Sequence, residues 1–340
     1  MHVVAAPDKF RGTATAAEVT AAMAAAAGRL GASVTAVPMA DGGEGTLAAF
    51  GGGTEITTVT GPLGAPVAAP WRYDPGPATA VIESAQACGL QLAGGPDLND
   101  PEAATTRGVG ELIAAAVHRG ARRVLVGIGG SATTDGGQGA VDALVEAGLV
   151  AALHDVDVLV CCDVETLFLD AAHVFAPQKG ADQATVARLS ERLARRRDEY
   201  VARFGIDPQS FPGSGAAGGL AGGLAALGAK LVPGVDLIAA ETGLDDAIAA
   251  ADVVLTGEGR VDATSLQGKV VGALCDRARA AGKGAIVVAG VVDSGIRLPG
   301  VDVVSLTASF GAKRAFLDTA RAIEDATVAA LRRWKEAHHG

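Results

Sequence analysis

MHVVAAPDKF (residues 1–10), TATAAEVTAAMAAAAGRL (residues 13–30) and SVTAV (residues 33–37) decide the fold. His2 to Ala6 is a short β-branched run stopped by Pro7, which reads as a strand. Thr15, with Glu18 three residues later, forms a capping box ahead of an Ala-rich helical stretch reaching about Leu30. Ser33 to Val37 is a second strand, ended by Pro38 before the turn-rich segment Ala40 to Gly45. The chain therefore opens as βαβ, the unit of a parallel sheet.

Working outward, the pattern changes at Thr54. The runs TEITTVT, VAAPWRY and ATAVIES, up to Ser84, are short, β-rich and separated by Gly and Pro, as antiparallel pairing requires. A helix near Val109 to Arg119 follows, then a strand from Arg123 to Ile128 with a Gly-rich exit. Next come a strand around Val156 to Cys162 and a charged helix from about Gln183 to Phe204. From Asp252 the alternation returns, with strand VVLT, a helix from about Gln267 to Ala281, strands AIVVA and VDVVSL, and a terminal helix to about Lys335. The expected fold is α/β with two domains. Residues 1–62 and 250–340 would form a discontinuous Rossmann-like or flavodoxin-like domain. Residues 63–249 would be an inserted mixed α/β domain, with the active site between the two.

Composition narrows the function. Aromatics are 4% of 340 residues while Gly reaches 47, so the 49% hydrophobic content is mostly Ala, Val and Leu, as in an Ala-rich α/β protein. The net charge is −10 and Lys and Arg gather only in a short helical run near Arg195, which argues against a nucleic-acid partner. An anionic substrate then needs cations converging locally. Cys88, Cys161, Cys162 and Cys275 include no C-x-x-C pair and read as reduced thiols. The first residues lack a basic n-region, and every later apolar stretch is broken by charge, so no membrane partner and a cytoplasmic location are expected.

Two glycine loops stand out. Arg123 to Ile128 exits into GGSATTDGGQGA and then an apolar helix, which would aim free N–H groups at an anion. A tight strand-to-helix turn that binds nothing would use the same glycines. GSGAAGGLAGG from Gly213 matches the spacing G-x-G-x-x-G, with Asp236 beyond it, but DPQSFP precedes it where a dinucleotide site needs a strand. A Rossmann dehydrogenase is thereby excluded. Gly268-Lys269 is followed by Val270, so no Walker A motif is present.

Charged residues cluster beside flexible backbone in APDKFRG from Ala6, MADGGEG from Met39, APQKGA from Ala176 and TGEGRVDATSLQGK from Thr256. Phosphoryl transfer to an alcohol needs a carboxylate near the hydroxyl, Mg²⁺ across the phosphates, and cations or N–H groups on the transferring oxygens. Asp8, Asp41, Glu44, Asp135, Asp163, Glu258 and Asp262 are the available carboxylates. Lys9, Arg11, Arg107, Lys179, Arg260 and Lys269 are the cations. Capping accounts for Asp41 and Glu44 taken singly, a surface ion pair for Lys179 and Arg260, and a turn for Asp135. Their conjunction favours chemistry.

APDKFRG, ADGGEG, TGPLG, TTRGVGELI, GIGGSATTDGG, CDV, PQKGA, GSGAAGGL and TGEGRVDATSLQGK resemble, in order, the motifs of the bacterial glycerate kinases, from Met1 to about Lys335. The resemblance implies a two-domain α/β kinase, unrelated to P-loop kinases, that uses ATP and Mg²⁺ on a small-molecule substrate, glycerate or a similar hydroxy acid. By that likeness Asp41, Asp8 and Lys179 are catalytic, with Asp41 favoured as the base or metal-linked carboxylate. Lys9, Arg11, Glu44, Thr106, Arg107 and Arg260 bind substrate. Gly129, Gly130, Ser131, Thr133, Gly215, Gly218 and Lys269 hold phosphate or nucleotide, and Asp135 and Asp163 hold Mg²⁺. The implied product is 2-phosphoglycerate, formed by direct in-line transfer to the 2-hydroxyl of D-glycerate. Related readings are a kinase of another small hydroxy acid or a nucleotide or metabolite sensor on the same fold.

The chain departs from the family at Thr134, where Asn is usual, at Arg11, where Lys is usual, and at Glu165-Thr166-Leu167, where Asn-Pro is usual. The block between Gly148 and Val156 is also shortened. Arg11 replaces a point donor by a planar fork, and Glu165 puts a negative charge where an amide is expected.

Overall fold

The computed structural model describes residues 1–266 and 268–339. It separates into two compact units, Met1–Asp41 with Val235–Gly340, and Gly42–Gly234. The expected boundaries at 62 and 250 therefore move to 41/42 and 234/235. The physical reason is strand pairing: the segment 54–60 finds its hydrogen-bond partner in the second sheet.

In chain order the first unit contributes β1 (His2–Ala5) and β2 (Ser33–Ala36). The second contributes β3 (Glu55–Thr60), β4 (Pro66–Asp74), β5 (Thr79–Glu83), β6 (Arg123–Gly127), β7 (Asp157–Cys161) and β8 (Lys230–Val232). The first unit is then completed by β9 (Val253–Val261), β10 (Gly284–Val292) and β11 (Val301–Ser305).

The first unit carries a five-stranded sheet ordered β11-β10-β9-β1-β2, parallel throughout. Read from β2, this is the flavodoxin-like order, whose switch point lies between β1 and β9, where β1 is followed by β2 on one side and β9 by β10 on the other. The capping box forms as the sequence predicts: Thr15 N–H donates to Glu18 at 2.8 Å and Glu18 N–H donates to the Thr15 hydroxyl at 3.2 Å. It starts helix Ala16–Gly28, which buries Val19, Met23 and Ala27 against Val3, Ala5, Val253 and Leu255. The same core takes Ile323, Ala326 and Leu331 from the terminal helix Thr319–His339.

The second unit has a six-stranded sheet ordered β3-β4-β5-β6-β7-β8. β3, β4 and β5 pair antiparallel, as the interrupted runs predict, and β5 to β8 are parallel. Helix Arg107–Arg119 sets Val109, Leu112, Ile113 and Ala116 on the sheet, at the 3.6-residue spacing of an amphipathic helix. Helix Gln183–Phe204 is capped by Asp182, which accepts from Thr185 N–H at 2.8 Å, and it ends at Gly205 in the left-handed conformation.

Two expectations change in detail. β9 does not stop at VVLT but runs on through Gly257 and Glu258 to Val261, paired with β10 along its length. The helix expected from Gln267 begins, among the described residues, at Val270; Gln267 lies outside them. No helix among the described residues is long and apolar enough to cross a membrane.

Candidate active site

In an open parallel sheet, ligands meet the carboxyl ends of the strands at the switch point. In the first unit that place is built by the loop after β1, which carries Asp8 and Lys9, and by the second half of β9, which carries Glu258. The loop is pinned to the strand end by Ala6 N–H to Leu255 O at 2.8 Å and Asp8 N–H to Gly257 O at 2.9 Å. Asp8 is 8% exposed; its Oδ1 accepts from Lys9 N–H at 2.7 Å and lies 3.8 Å from Lys9 Nζ. Burial pushes its carboxyl up to about 6 against the pull of Lys9, and the negative charge of Asp41 adds to the rise. Asp41, half-buried at the end of the first segment, thus shares the electrostatic field of Asp8, and so does Lys269.

Glu258, also 8% exposed, is pushed up to about 7 by burial, which the Ser265 hydroxyl and Lys269 oppose. Asp262 behaves oppositely: bonds from the Thr264 hydroxyl and from nearby amides hold it down to about 2. Lys269, the N-cap residue of helix Val270–Ala280, donates to the Thr264 hydroxyl at 2.8 Å. Arg11 is exposed in the turn after the loop, where Phe10 bridges Ala14. Arg260 is turned to Asp293 at 2.8 Å, with its side chain 65% exposed. The structure therefore brings together Asp8, Lys9, Asp41 and Lys269 of the expected residues and commits Arg260 to a surface ion pair.

In the second unit the exits of β5, β6 and β7 form another constellation. Lys179 is 4% exposed; its Nζ donates to Ser131 Oγ at 3.0 Å and to Thr133 O at 2.6 Å. Burial lowers its pKa to about 8, while Cys88 and Asp135 pull it back up. Ser131 is held by a bridge to Gly89, and Leu90 N–H donates to Gly130 O at 2.8 Å. Gly129 packs so closely on Gly43 that a Cβ would overlap its Cα. At Gly218, with φ of +67°, a Cβ would collide with the Thr133 carbonyl oxygen, and at Gly215 with the Leu167 carbonyl oxygen. The two glycine loops thus pack backbone on backbone, Gly136 N–H donating to Gly218 O at 3.0 Å. Thr134, at the position where the family carries Asn, is fully buried and its hydroxyl has no partner among the described residues.

Asp135, expected to hold Mg²⁺, is engaged by donors of its own loop and of Thr106. Its Oδ2 accepts from Thr106 N–H at 2.8 Å, Thr106 Oγ1 at 2.8 Å and Gly139 N–H at 3.1 Å, and its Oδ1 from Gly137 N–H at 3.0 Å. Four donors match the four lone-pair sites of a carboxylate, so Asp135 does not fit a metal ligand. It ties the start of helix Gln138–Glu146 to Thr106 instead. Asp163 is exposed and accepts from Gly234 N–H at 2.7 Å. Among the described residues no group of three or more His, Cys, Asp or Glu could hold a metal ion. Thr106 donates to Asp135 and its hydroxyl accepts from Ala140 N–H at 3.0 Å, and Arg107 is engaged by Glu111 at 3.1 Å and Glu146 at 2.5 Å.

One residue escaped the reading of motifs and another was left without a role. Glu83, at the end of β5, accepts from Gly45 N–H at 3.1 Å and Leu47 N–H at 3.0 Å, and so shapes the loop that carries Glu44, which is itself exposed. Burial raises its carboxyl despite those bonds. Glu258 was visible as an available carboxylate without a role. The signal in both cases is an acid that ends or continues an apolar strand, at TAVIE and VVLTGE.

The model of the glycerate kinase family matches residues 3–149 and 144–336. An uncharacterised protein of Mycobacterium bovis is 46% identical over 316 residues, covering 88% of this chain and 82% of its own. Glycerate 2-kinase of Escherichia coli is 35% identical over 350 residues, covering 92% of each. A solved structure from Salmonella typhimurium LT2, assigned provisionally as glycerate kinase 2, superposes with a TM-score of 0.83 at 30% identity and full coverage of both chains. With that shared fold and the ordered motifs from Asp8 to Lys269, the chain belongs to the glycerate kinase family and is an enzyme of it, a phosphotransferase acting on a small molecule.

Proposed function

We propose that this enzyme phosphorylates D-glycerate with ATP by direct in-line transfer to the 2-hydroxyl, giving 2-phosphoglycerate, with Mg²⁺ entering as the Mg·ATP substrate. The relative named glycerate 2-kinase supports the choice of hydroxyl. The observation that carries the chemistry is Asp8: a buried carboxyl at the carboxyl end of β1, raised to about 6 by its surroundings. A general base works best when its pKa lies near the operating pH. Asp8 therefore takes the hydroxyl proton, and Asp41 beside it keeps the local field negative enough to hold that proton.

Lys9, Arg11 and Lys269 are the cations for anionic groups in the first unit. Lys179, Ser131 and the backbone from Gly129 to Thr133 supply donors for phosphate oxygens, and Glu44, Gly215 and Gly218 shape loops of the second unit. The desolvated ammonium of Lys179 is well suited to stabilise charge that grows on a transferring phosphoryl group. Catalysis is then positioning plus electrostatics, with little covalent chemistry for the protein.

The test is ADP release with purified protein, scored for dependence on D-glycerate and on Mg²⁺, for wild type, Asp8→Asn and Asp41→Asn. Glycerate-dependent ADP release that falls about 100-fold or more in Asp8→Asn supports the reading. Release with lactate or tartrate but not glycerate would reassign the acceptor, and ATP binding without any turnover would point to a sensor.

A further inference from the structure

Asp8 and Glu258 are neighbours at the switch point, linked through the Asp8 N–H to Gly257 O bond of 2.9 Å. Both are more than nine-tenths buried. The Oε1 of Glu258 is buried and has no hydrogen-bond partner among the described residues. An ionised carboxylate with a buried oxygen that no protein donor reaches is disfavoured, so this oxygen is a resting place for a proton.

The charged surroundings agree. Glu258 faces Asp8 and Asp262, which disfavour its ionisation, and Lys269 and the Ser265 hydroxyl, which favour it. Asp8 faces Lys9, Asp41 and Lys269. From β10 the register partner of Glu258 is the apolar Ala289, and the acid further along, Asp293, is held by Arg260. Asp8 Oδ1 has the Lys9 N–H at 2.7 Å and Lys9 Nζ at 3.8 Å to hold its charged form, whereas the Oε1 of Glu258 has no donor, so Asp8 is the member of the pair that ionises first.

We propose that Asp8 and Glu258 form a coupled carboxyl pair holding one proton, which rests on Glu258 while Asp8 is the ionised member. Its use in turnover rests on the kinase reading above; the pair itself does not. In the transfer the acceptor O–H bond breaks and its proton bonds to the Asp8 carboxylate. The acceptor oxygen forms its bond to the γ-phosphorus, and the bond from that phosphorus to the bridging oxygen breaks, leaving its electron pair on ADP. Asp8 then returns the proton to solvent, and below about pH 7 Glu258 retains its own. A neutral Glu258 spares the incoming phosphates and the substrate carboxylate a second negative charge beside the base.

The experiment is a pH titration of the full-length chain labelled with ¹³C at the Asp and Glu carboxyl carbons, with Asp8→Asn and Glu258→Gln used to assign the two resonances. In wild type the Asp8 resonance shows its main step and a second, smaller inflection where Glu258 ionises. Glu258→Gln removes the second inflection and leaves the first within about half a unit, and Glu258→Asp keeps a second inflection. The pH profile of kcat/KM loses the same inflection in Glu258→Gln. A single-step Asp8 titration in wild type, or a second inflection that survives Glu258→Gln, overturns the pair. Because the spectra need no substrate, a coupled pair in a protein inactive on glycerate would sink only the kinase reading, and an active enzyme without coupling would sink only the pair.

Discussion

Asp135→Asn separates a structural from a metal-binding carboxylate. Asparagine can leave its carbonyl oxygen in the place of Oδ2 and keep the donors from Thr106 N–H, Thr106 Oγ1 and Gly139 N–H, at 2.8, 2.8 and 3.1 Å. Its NH₂ group must then face Gly137 N–H, now 3.0 Å from an acceptor, and donor meets donor. Stranding one buried N–H costs about 1–3 kcal/mol, and turning three charge-assisted bonds into neutral ones costs roughly another 1–2. Relief of a buried charge offsets part of this, leaving a net loss of about 2 kcal/mol. With a urea slope of about 2 kcal/mol per molar, the unfolding midpoint of the second unit falls by ~1 M. Trp71, buried in β4, reports that unit, and Trp334 in the terminal helix reports the first. Fluorescence in a Trp334→Phe background should show the shift, and Trp334 in a Trp71→Phe background should show none. An unchanged midpoint, or a loss present only when Mg²⁺ is supplied, would refute the assignment of Asp135 to the fold.

Three further outcomes follow from the same geometry. Lys179→Met removes a buried ammonium held by Ser131 and Thr133 and should lower kcat by about 10²–10³-fold in steady-state assays, with a far smaller change in unfolding midpoint. Folding raises the Asp8 pKa from 3.8 to about 6, so its ionisation favours the unfolded chain; the resulting stability is complete below the unfolded value and is lost as pH rises through about 6. Asp8→Asn should accordingly abolish turnover yet stabilise the first unit at pH 7 by up to about 3 kcal/mol, read by Trp334 fluorescence, with no gain at low pH. Arg107→Ala cuts ion pairs to Glu111 and Glu146 and should change KM for glycerate less than about threefold, since partly exposed pairs contribute under about 1 kcal/mol.

The parts legible in the sequence are those whose causes are local. Thr15 and Glu18 cap a helix three residues apart, and Asp182 and Gly205 bound another, so both helices were readable to within a residue or two. The antiparallel β3, β4 and β5 are joined by short turns, so their composition sufficed. The boundary at residue 41 was not readable, because nothing in TEITTVT says that its partner is Val67 rather than β2. Nor was the length of β9. Gly257 and Gly259 look like loop residues, yet they lie in a strand because a Cβ at Gly257 would overlap the Val288 carbonyl oxygen, and Gly259 meets the backbone of Phe10.

At the site the same rule holds. The charges of the first loop, Asp8 and Lys9, were picked out by their own motif, and Asp8 is indeed buried beside Lys9. The partner of Asp135 lies 29 residues away at Thr106, and that distance concealed a structural carboxylate behind a ligand-like motif. Gly215 and Gly218 carried the look of a phosphate cradle, while the close approach of two loops already requires them. Glu83 was not singled out, and Glu258 stood among the available carboxylates without a role, because an acid in an apolar strand gives no local sign of its partners.

The most direct measurement is a proton-coupled ³¹P spectrum of the reaction of Mg·ATP with D-glycerate. Phosphate on the 2-hydroxyl sits on a carbon bearing one hydrogen and gives a doublet, whereas phosphate on the 3-hydroxyl sits beside two and gives a triplet. Transfer to the 2-hydroxyl gives a doublet that grows as the γ-phosphate of ATP disappears and that is absent with Asp8→Asn. A triplet would contradict the proposed acceptor, and inorganic phosphate alone would contradict transfer to glycerate altogether.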